Sequence, residues 1–343
     1  MRLLRFLSIL PVILVGSATL AGSAPGNGNR LVMATYWGDD RVALIDVNAA
    51  PGQEELWSID TLRAVGCAKP YDVRVNRRSD EAYVTCSGSN QIAVIDILAQ
   101  QIRYTIETGS SPRDLQLYDN DRRLIVANSG SDTVSVIDTQ QRRKLFDFPI
   151  STQPYGVAVT PDGQTAYITG WASGDLHIVR LGANSATHLG RVAVGFLPYT
   201  VVAPGDGRIA YVAANGSQRV VAVDGRTRAV TAQLPVGRNP WSIAASPDGR
   251  SLLVTNNGSN NLSLLRTGAS PTEQRFISAG VNTPTDGRTL LRRPKNASFS
   301  ADGASAVFTD LANNQIVVVD VASGGIRRII NVGRAPYGVE FIR

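Results

Sequence analysis

Side chains that could bind a ligand recur after seven prolines of the sequence. The prolines are spaced 42 to 54 residues apart, and each is followed by an aromatic or basic residue. These residues are Tyr71, Arg113, Tyr155, Tyr199, Trp241, Lys295 and Tyr337. Aromatic faces stack on planar groups, and basic side chains attract anions. Brought together, they would bind an anionic ligand with planar groups, such as a single nucleic-acid strand, a carboxylated glycan or an acidic protein loop.

A longer segment before one of these prolines adds further basic residues. The stretch between Gly280 and Pro294 is roughly eleven residues longer than its counterparts, and it carries Arg288, Arg292 and Arg293. We therefore predict a ligand-binding surface that combines Arg292, Arg293 and Trp171 with the seven residues after the prolines. Two alternatives stay open. One is that the aromatic residues only pack on their neighbours in the fold. The other is that the basic segment is an ordinary solvated loop.

Residues for nucleophilic or metal catalysis are scarce. The chain has two histidines, His177 and His188, and we expect neither to join a histidine cluster. His177 takes a place that Ala, Ser or Val fills in other repeats, which predicts a packing role, and His188 is expected in a link between strands. A Ser-His-Asp triad lacks its parts, and no glycine-rich phosphate loop leads into a helix. The sequence therefore predicts no catalytic residue, no metal and no cofactor.

The prolines mark seven copies of one repeating unit. Within residues 154–195 the unit contains the runs YGVAVT, TAYITG, DLHIVR and RVAV, separated by short turns. Short runs rich in Val, Ile, Tyr and Thr predict β-strands, so each unit predicts a four-stranded antiparallel sheet. Asp-Gly pairs at 162–163, 206–207, 248–249 and 302–303 predict tight hairpins with positive φ at both turn residues. The Asp that closes most of the third runs is expected to cap a turn.

The ends of the chain indicate how the sheets are arranged. A small sheet cannot bury both faces alone, and radial stacking into a β-propeller solves this with short, protected edges. The run Leu31–Tyr36 matches the second strand of a unit, and Tyr337–Arg343 matches the first. We therefore predict an all-β fold, a seven-bladed β-propeller of four-stranded antiparallel blades. The C-terminal strand completes the first blade, and residues 31–343 form a single domain.

The repeats resemble those of YVTN-type seven-bladed bacterial β-propellers. The segments AYVTCSGSNQIAVID, LIVANSGSDTVSVID and PYGVAVTPDGQTAYIT carry the resemblance, which covers about residues 30–343. It implies that the loops before the first strand and between the second and third strands share one face at the mouth of a central channel. The fold carries many unrelated activities. We predict a non-catalytic binding or scaffold module that uses this channel mouth.

A lactonase-type or lyase-type enzyme at the same mouth is the alternative. Propeller lactonases use acidic and Asn residues around a metal, and Asp72, Asp114, Asn296 and Asp310 would imitate that set. No spacing in the sequence matches a known motif of this kind. The sequence therefore favours the binding module over the enzyme.

The N-terminus and the cysteines indicate the cellular compartment. Residues 1–24 have the layout of a secretory signal peptide, with a basic start, an apolar core and small residues, and residues 25–30 form a short linker. Cleavage would lower the net charge from +6 to +4, a mildly basic value that points to no particular class of partner. Cys67 and Cys86 are expected to meet at the edge of one blade and form a disulfide.

The signal peptide and the disulfide together predict the setting of the mature protein. We predict a periplasmic or secreted monomer without a transmembrane segment. Its partner, an unknown protein, a glycan or single-stranded nucleic acid, is not specified by the sequence.

Overall fold

Seven four-stranded sheets make up the structure of the protein. The computed structural model describes residues 29–150, 152–268, 272–277 and 291–342. The predicted signal peptide, most of the linker and residues 278–290 of the long segment, including Arg288, lie outside the described residues.

Each blade pairs its four strands antiparallel, with the innermost strand at the central channel. Blade one contains β28 (Pro336–Phe341), β1 (Leu31–Tyr36), β2 (Arg41–Asp46) and β3 (Glu55–Asp60). Blade two contains β4 (Pro70–Val75), β5 (Glu81–Cys86), β6 (Gln91–Asp96) and β7 (Gln101–Glu107). Blade three contains β8 (Pro112–Tyr118), β9 (Arg123–Asn128), β10 (Thr133–Asp138) and β11 (Arg143–Pro149). Blade four contains β12 (Pro154–Val159), β13 (Thr165–Gly170), β14 (Asp175–Leu181) and β15 (Ala186–Ala193).

The remaining three blades repeat this arrangement. Blade five contains β16 (Pro198–Val202), β17 (Ile209–Ala214), β18 (Arg219–Asp224) and β19 (Ala229–Pro235). Blade six contains β20 (Pro240–Ala245), β21 (Ser251–Asn256), β22 (Asn261–Arg266) and β23 (Thr272–Ile277). Blade seven contains β24 (Pro294–Phe299), β25 (Ser305–Asp310), β26 (Gln315–Asp320) and β27 (Ile326–Asn331). A short helix, α1 (Thr61–Val65), precedes β4, and a 3₁₀ turn covers Asn215–Ser217.

The C-terminal strand closes the ring as predicted. Strand β28 pairs antiparallel with β1, with Val32 opposite Phe341. Val32 and Phe341 also belong to a buried cluster that includes Val307 and Ile316 of blade seven. The closure therefore combines backbone pairing within blade one with apolar packing against blade seven. No helix in the described ranges is long and apolar enough to cross a membrane.

The burial of each strand follows from its place in the blade. The middle strands β9 and β10 are buried over most of their length because a neighbouring blade covers each face. They therefore read as continuous apolar runs. The outer strand β7 alternates exposed and partly buried residues, the two-residue period of a strand with one solvated face.

A bulge displaces the residues that follow the prolines. Pairing between β4 and β5 shifts register between Pro70 and Val73, and most of the other innermost strands shift likewise. The Thr85 hydroxyl accepts a hydrogen bond from the freed Asp72 N–H at 2.9 Å and donates to the Arg113 carbonyl of the next blade at 2.9 Å. A threonine on the second strand of several blades makes the same link. In these blades the bulge therefore allows a hydrogen-bonded link between one blade and the next.

The Asp-Gly turns differ from the prediction. Only the glycine of each pair has positive φ, as in Gly163 at 71° and Gly207 at 75°. Asp162 instead accepts hydrogen bonds from the Thr160 hydroxyl at 2.5 Å and the Gln164 N–H at 3.0 Å. These side-chain bonds stabilise a longer turn in which one left-handed residue is enough. The Asp residues at the ends of the third strands cap turns, as predicted, and Asp138 accepts from the Gln141 N–H at 2.8 Å.

The predicted disulfide is present. Cys67 and Cys86 are bonded, with Cα atoms 5.1 Å apart, and neither is exposed. Helix α1, which the sequence analysis did not predict, positions Cys67. Asp60 caps the start of α1 by accepting from the Arg63 N–H at 2.8 Å, and Gly66 ends it with φ of 69°.

Candidate functional site

The seven residues after the prolines meet at one end of the channel. We call this end, where the bulges lie, the upper face, and the end with the Asp-Gly turns the lower face. The Tyr71 and Tyr155 hydroxyls hydrogen-bond each other across the channel. Tyr71 packs on Tyr337 with centroids 4.5 Å apart, and Tyr199 packs on Trp241 at 4.0 Å. The guanidinium of Arg113 lies 4.8 Å from the Tyr71 ring.

These contacts decide between two interpretations of the seven residues, here called the upper cluster. The sequence pattern predicted a ligand-binding surface at the channel mouth, with packing of the aromatic residues on their neighbours as the alternative. The rings are brought together as predicted, but they pack on one another across the channel, because Tyr71 and Tyr155 belong to non-adjacent blades. The upper cluster therefore covers the channel from above. Whether these residues bind a ligand stays a prediction.

Lys295 is the most deeply buried cation of the upper cluster. It is 1% exposed, and its Nζ lies 2.9 Å from the centroid of the Trp241 ring. Burial, and to a smaller extent the nearby charge of Arg293, lowers the pKa of the Lys295 amine to about 6. The amine is therefore largely uncharged at neutral pH, and its contact with Trp241 is an N–H/π contact rather than a cation–π pair. Lys295 therefore does not supply the positive charge for anion binding that the sequence suggested.

Three other residues of the predicted surface lie beside the upper cluster. Arg292 and Arg293 are exposed, and their backbone N–H groups are held by Asp310 at 2.7 Å and by Asn260 at 2.9 Å. Trp171 is half-buried, with its ring 6.4 Å from Tyr199. Arg292 and Arg293, with the half-buried Arg113, thus contribute positive charge to the upper face, as do the exposed Lys69, Arg238 and Arg334 in the equivalent loops of other blades.

Below the upper cluster, two carboxyl groups meet at one cation. Arg74 Nη1 lies 3.0 Å from Asp72 Oδ2, and Arg74 Nη2 lies 3.1 Å from Asp114 Oδ1. Asp72 also accepts from the Asn296 amide at 3.0 Å, and Asp114 accepts from the Val157 N–H at 3.0 Å. The sequence repeat predicted Asp72 and Asp114 at equivalent positions on adjacent blades. The sequence analysis missed Arg74, two residues further along β4, although its place on the innermost strand signals a side chain directed at the channel.

The two carboxyl groups, here called the carboxyl pair, have different environments. Burial, together with the charge of Asp72 and a hydrogen bond with it, raises the pKa of Asp114 to about 8, although the charge of Arg74 opposes the rise. Asp114 therefore holds a proton at neutral pH, with the Asp72 carboxyl beside it. Two carboxyl groups in contact, one of them protonated, are an arrangement that general acid-base chemistry uses.

The channel below the carboxyl pair is open toward the lower face. A cavity of about 420 Å³ runs from Tyr71 and Trp241 down to Arg77, Pro204 and Pro247. Pro204 and Pro247 precede Asp-Gly turns, so the cavity reaches the lower face. Cavities of this size hold small molecules. The access route is therefore the reverse of the predicted one, because the upper cluster covers the upper mouth.

The predicted lactonase-like metal set is not assembled. Asp72, Asp114 and Asn296 lie together, but Asp310 lies at the upper face, where it holds the Arg292 N–H. The Arg74 guanidinium contacts both carboxyls of the pair, so a cation of the protein already neutralises the oxygens that a divalent ion would need. Among the described residues, no group of three or more His, Cys, Asp or Glu side chains could hold a metal. These residues do not fit a metal centre.

The histidines differ from the prediction. His177 Nδ1 lies 3.0 Å from His188 Nε2, so the two form a pair, and His188 lies on β15 rather than in a link. The residues are eleven positions apart but become neighbours because β14 and β15 form a hairpin. Burial, and to a smaller extent the His188 charge, lowers the pKa of His177 to about 4. His177 is buried, which agrees with its predicted packing role.

Family comparison agrees with the architecture. A family model described as YNCE-like beta-propeller matches residues 106–294, just over half of the 343-residue chain. The chain belongs to the YNCE-like β-propeller family. A second model, described as a seven-bladed β-propeller lactonase, matches residues 39–160, which include the carboxyl pair. The comparisons support a bacterial seven-bladed propeller, the coarser part of the predicted resemblance. No curated protein matches the chain.

Several solved structures share the fold. A functionally unknown protein from Desulfotomaculum acetoxidans has a TM-score of 0.76 at 13% identity, covering 91% of this chain and 98% of that chain. The periplasmic gluconolactonase of Pseudomonas aeruginosa has a TM-score of 0.73 at 16% identity, covering 92% and 99%. Hydrazine synthase of Kuenenia stuttgartiensis has a TM-score of 0.68 at 16% identity, covering 79% and 89%. At these identities the similarity shows the fold alone.

Proposed function

We propose that this YNCE-like propeller is a small-molecule hydrolase of the lactonase type, with its active site in the central channel. The observation that carries the proposal is the carboxyl pair: Asp72 and Asp114 meet at Arg74 at the closed end of a cavity, and burial raises the pKa of Asp114. The lactonase family match over the segment that contains both residues supports the same conclusion. The alternative of the sequence analysis thereby becomes the leading function.

The pair can supply both proton transfers of lactone hydrolysis. Asp72 takes a proton from water as the water oxygen bonds to the lactone carbonyl carbon, and Arg74 stabilises the negative charge that develops on the carbonyl oxygen. Asp114 gives its proton to the ring oxygen as the ring C–O bond breaks. Transfer of a proton from Asp72 to Asp114 through their hydrogen bond restores the starting state. Water and lactone are consumed, and one hydroxy acid forms.

The test is hydrolysis of six-membered lactones by the purified protein and by single variants. D72N and D114N should each lower kcat by about 10²- to 10⁴-fold, the usual contribution of a general acid or base. D310N is the matched control, since Asp310 is also a buried carboxyl but lies at the upper face. Equal rates in D72N, D114N and the wild type would refute the proposed site.

Binding of an anionic ligand at the upper face is a second candidate function. Exposed Arg292 and Arg293 beside the upper cluster favour it. A protein, a glycan or single-stranded nucleic acid remains the candidate partner, as the sequence suggested. This function would use the outer side of the upper cluster, and the hydrolase would use the channel beneath it.

A periplasmic or secreted setting is part of the proposal. The signal-like sequence at residues 1–24 and the Cys67–Cys86 disulfide support it, because disulfides persist in oxidising compartments.

A further inference from the structure

The two sides of the central channel differ in chemistry. Blades one, two, three and seven line it with charged or amide side chains, such as Arg74, Gln116 and Glu340. Blades four, five and six line it at the same depth with Ala158, Val202 and Ala244. Higher on that side lie two hydroxyl residues, Thr200 and Ser242. The Thr200 hydroxyl is engaged by the Ile243 N–H at 3.0 Å and the Trp241 carbonyl at 3.2 Å. The channel therefore has one polar wall and one apolar wall.

The charges of the channel do not suit an anionic substrate. Two basic residues line the cavity, Arg74 and Arg77, against three acidic ones, Asp72, Asp121 and Glu340, and the protonated Asp114. Arg74 is shared by the carboxyl pair, and Arg77, at the lower mouth, lies 3.8 Å from Asp121. A phosphate or carboxylate group would meet no uncommitted cation among the described lining residues. A neutral ligand avoids this repulsion.

The apolar wall continues to the lower mouth. Below Val202 and Ala244 the lining passes through Ala203 and Ala245 to Pro204 and Pro247. A small ring held against the carboxyl pair under the upper cluster would leave the remaining length of the cavity to a substituent. That substituent would lie along Val, Ala and Pro side chains, where the burial of each methylene favours binding.

We propose that the channel binds a neutral lactone with an alkyl chain, its ring at the polar wall and its chain along the apolar wall toward the lower face. This inference rests on the proposed hydrolase function only where it treats the ligand as a substrate. The shape and polarity of the ligand follow from the two walls of the channel. It excludes phosphorylated and polyhydroxylated lactones as preferred substrates, because the apolar wall offers no partner for their hydroxyl groups.

A panel of lactones with one ring size tests the inference. δ-Valerolactone has no substituent, δ-decalactone carries a pentyl chain, and glucono-δ-lactone carries hydroxyl groups. The wild type should show kcat/KM at least about 10-fold higher for δ-decalactone than for the other two, since apolar contacts of a few methylenes discriminate by that order. The A244F variant, which fills the chain space, should reduce this ratio. A preference for glucono-δ-lactone would overturn the inference while the hydrolase proposal stands.

A binding measurement separates the two proposals. Calorimetric titration with the non-hydrolysable pentyl lactam (6-pentylpiperidin-2-one) and with unsubstituted piperidin-2-one needs no catalysis. Tighter binding of the pentyl lactam by about 10-fold or more, lost in A244F, would support the inference even if no lactone were hydrolysed. Equal affinities, or no binding of either lactam, would overturn it. A244L, with a smaller side chain than A244F, serves as a second variant if A244F does not fold.

Discussion

Arg74 and Asp114 belong to adjacent blades, and Nη2 of the arginine lies 3.1 Å from Oδ1 of the carboxyl. Arg74 also contacts Asp72 within its own blade, so one cation joins two buried carboxyl groups at the centre of the ring. Two carboxyls in contact cannot both ionise without a large cost, and the pair therefore keeps a proton on Asp114. The protonation of this pair governs both stability and the proposed activity.

The first prediction concerns stability and pH. The pKa of Asp114 is raised from 3.8 to about 8 on folding, so the folded protein binds more protons than the unfolded chain between these values. Its contribution to the free energy of unfolding is full below about pH 4 and is lost as the pH rises through about 8. D114N should remove this dependence. Urea unfolding of both proteins at pH 5, 7 and 9 measures it, and parallel pH curves would contradict the shared proton.

For Lys295, the predicted change of stability with pH has the opposite sign to that for Asp114. The pKa of Lys295 falls from 10.5 to about 6 on folding, so between these values the unfolded chain binds more protons. The contribution of Lys295 to stability therefore rises with pH over that range. K295M should stabilise the protein most at low pH and flatten this slope. K69M is the matched control because Lys69 is exposed. Thermal unfolding from pH 6 to 10 tests both variants, and equal responses would contradict the buried neutral amine.

The third prediction concerns the upper face. The double variant R292A/R293A should weaken binding of a fluorescent oligo(dT) or a polyuronate, and the salt slope for the oligonucleotide should fall by about 0.7 per lost phosphate contact. Exposed Arg226 and Arg228 at the opposite face supply the control variant R226A/R228A. Fluorescence anisotropy at several salt concentrations measures the slope. Unchanged binding in R292A/R293A would remove the anionic-ligand function.

The fourth prediction concerns the disulfide. Cys67 and Cys86 close a loop with a sequence separation of 19, which on the chain-entropy model stabilises the fold by about 3 kcal/mol. The double variant C67S/C86S should lose about this free energy of unfolding, and reductant should shift the wild type but not the variant. Denaturant unfolding with and without reductant measures both effects. A wild type that is insensitive to reductant would contradict this role.

The architecture could be predicted because its signals are local and repeated. The proline spacing gave seven blades, and the partial units at Leu31–Tyr36 and at the C-terminus gave the closure that β28 makes. Asp72 and Asp114 occupy equivalent repeat positions on adjacent blades, which accounts for their proximity in the structure. Short-range side-chain bonds changed the details, as in the turn at Asp162, where the carboxyl replaces the second left-handed residue.

The packing and the protonation of the site could not be predicted from the sequence, because they depend on contacts across the channel. Tyr71 and Tyr155 belong to non-adjacent blades, and no sequence pattern states that their hydroxyls meet. The burial of Lys295 follows from the same packing, which turns an expected surface charge into a neutral amine. Because the upper cluster covers the upper mouth, the candidate site is the carboxyl pair rather than the aromatic residues, and its entrance lies at the lower face.

A crystal structure of the protein soaked with the pentyl lactam would show directly whether the channel is the binding site. We expect the lactam ring beneath the upper cluster, within hydrogen-bond distance of Asp114 and Arg74, and the pentyl chain along Val202 and Ala244 toward the lower face. Lactam bound only at the upper face against Trp241, or a channel without lactam at a concentration that saturates the protein, would contradict this expectation.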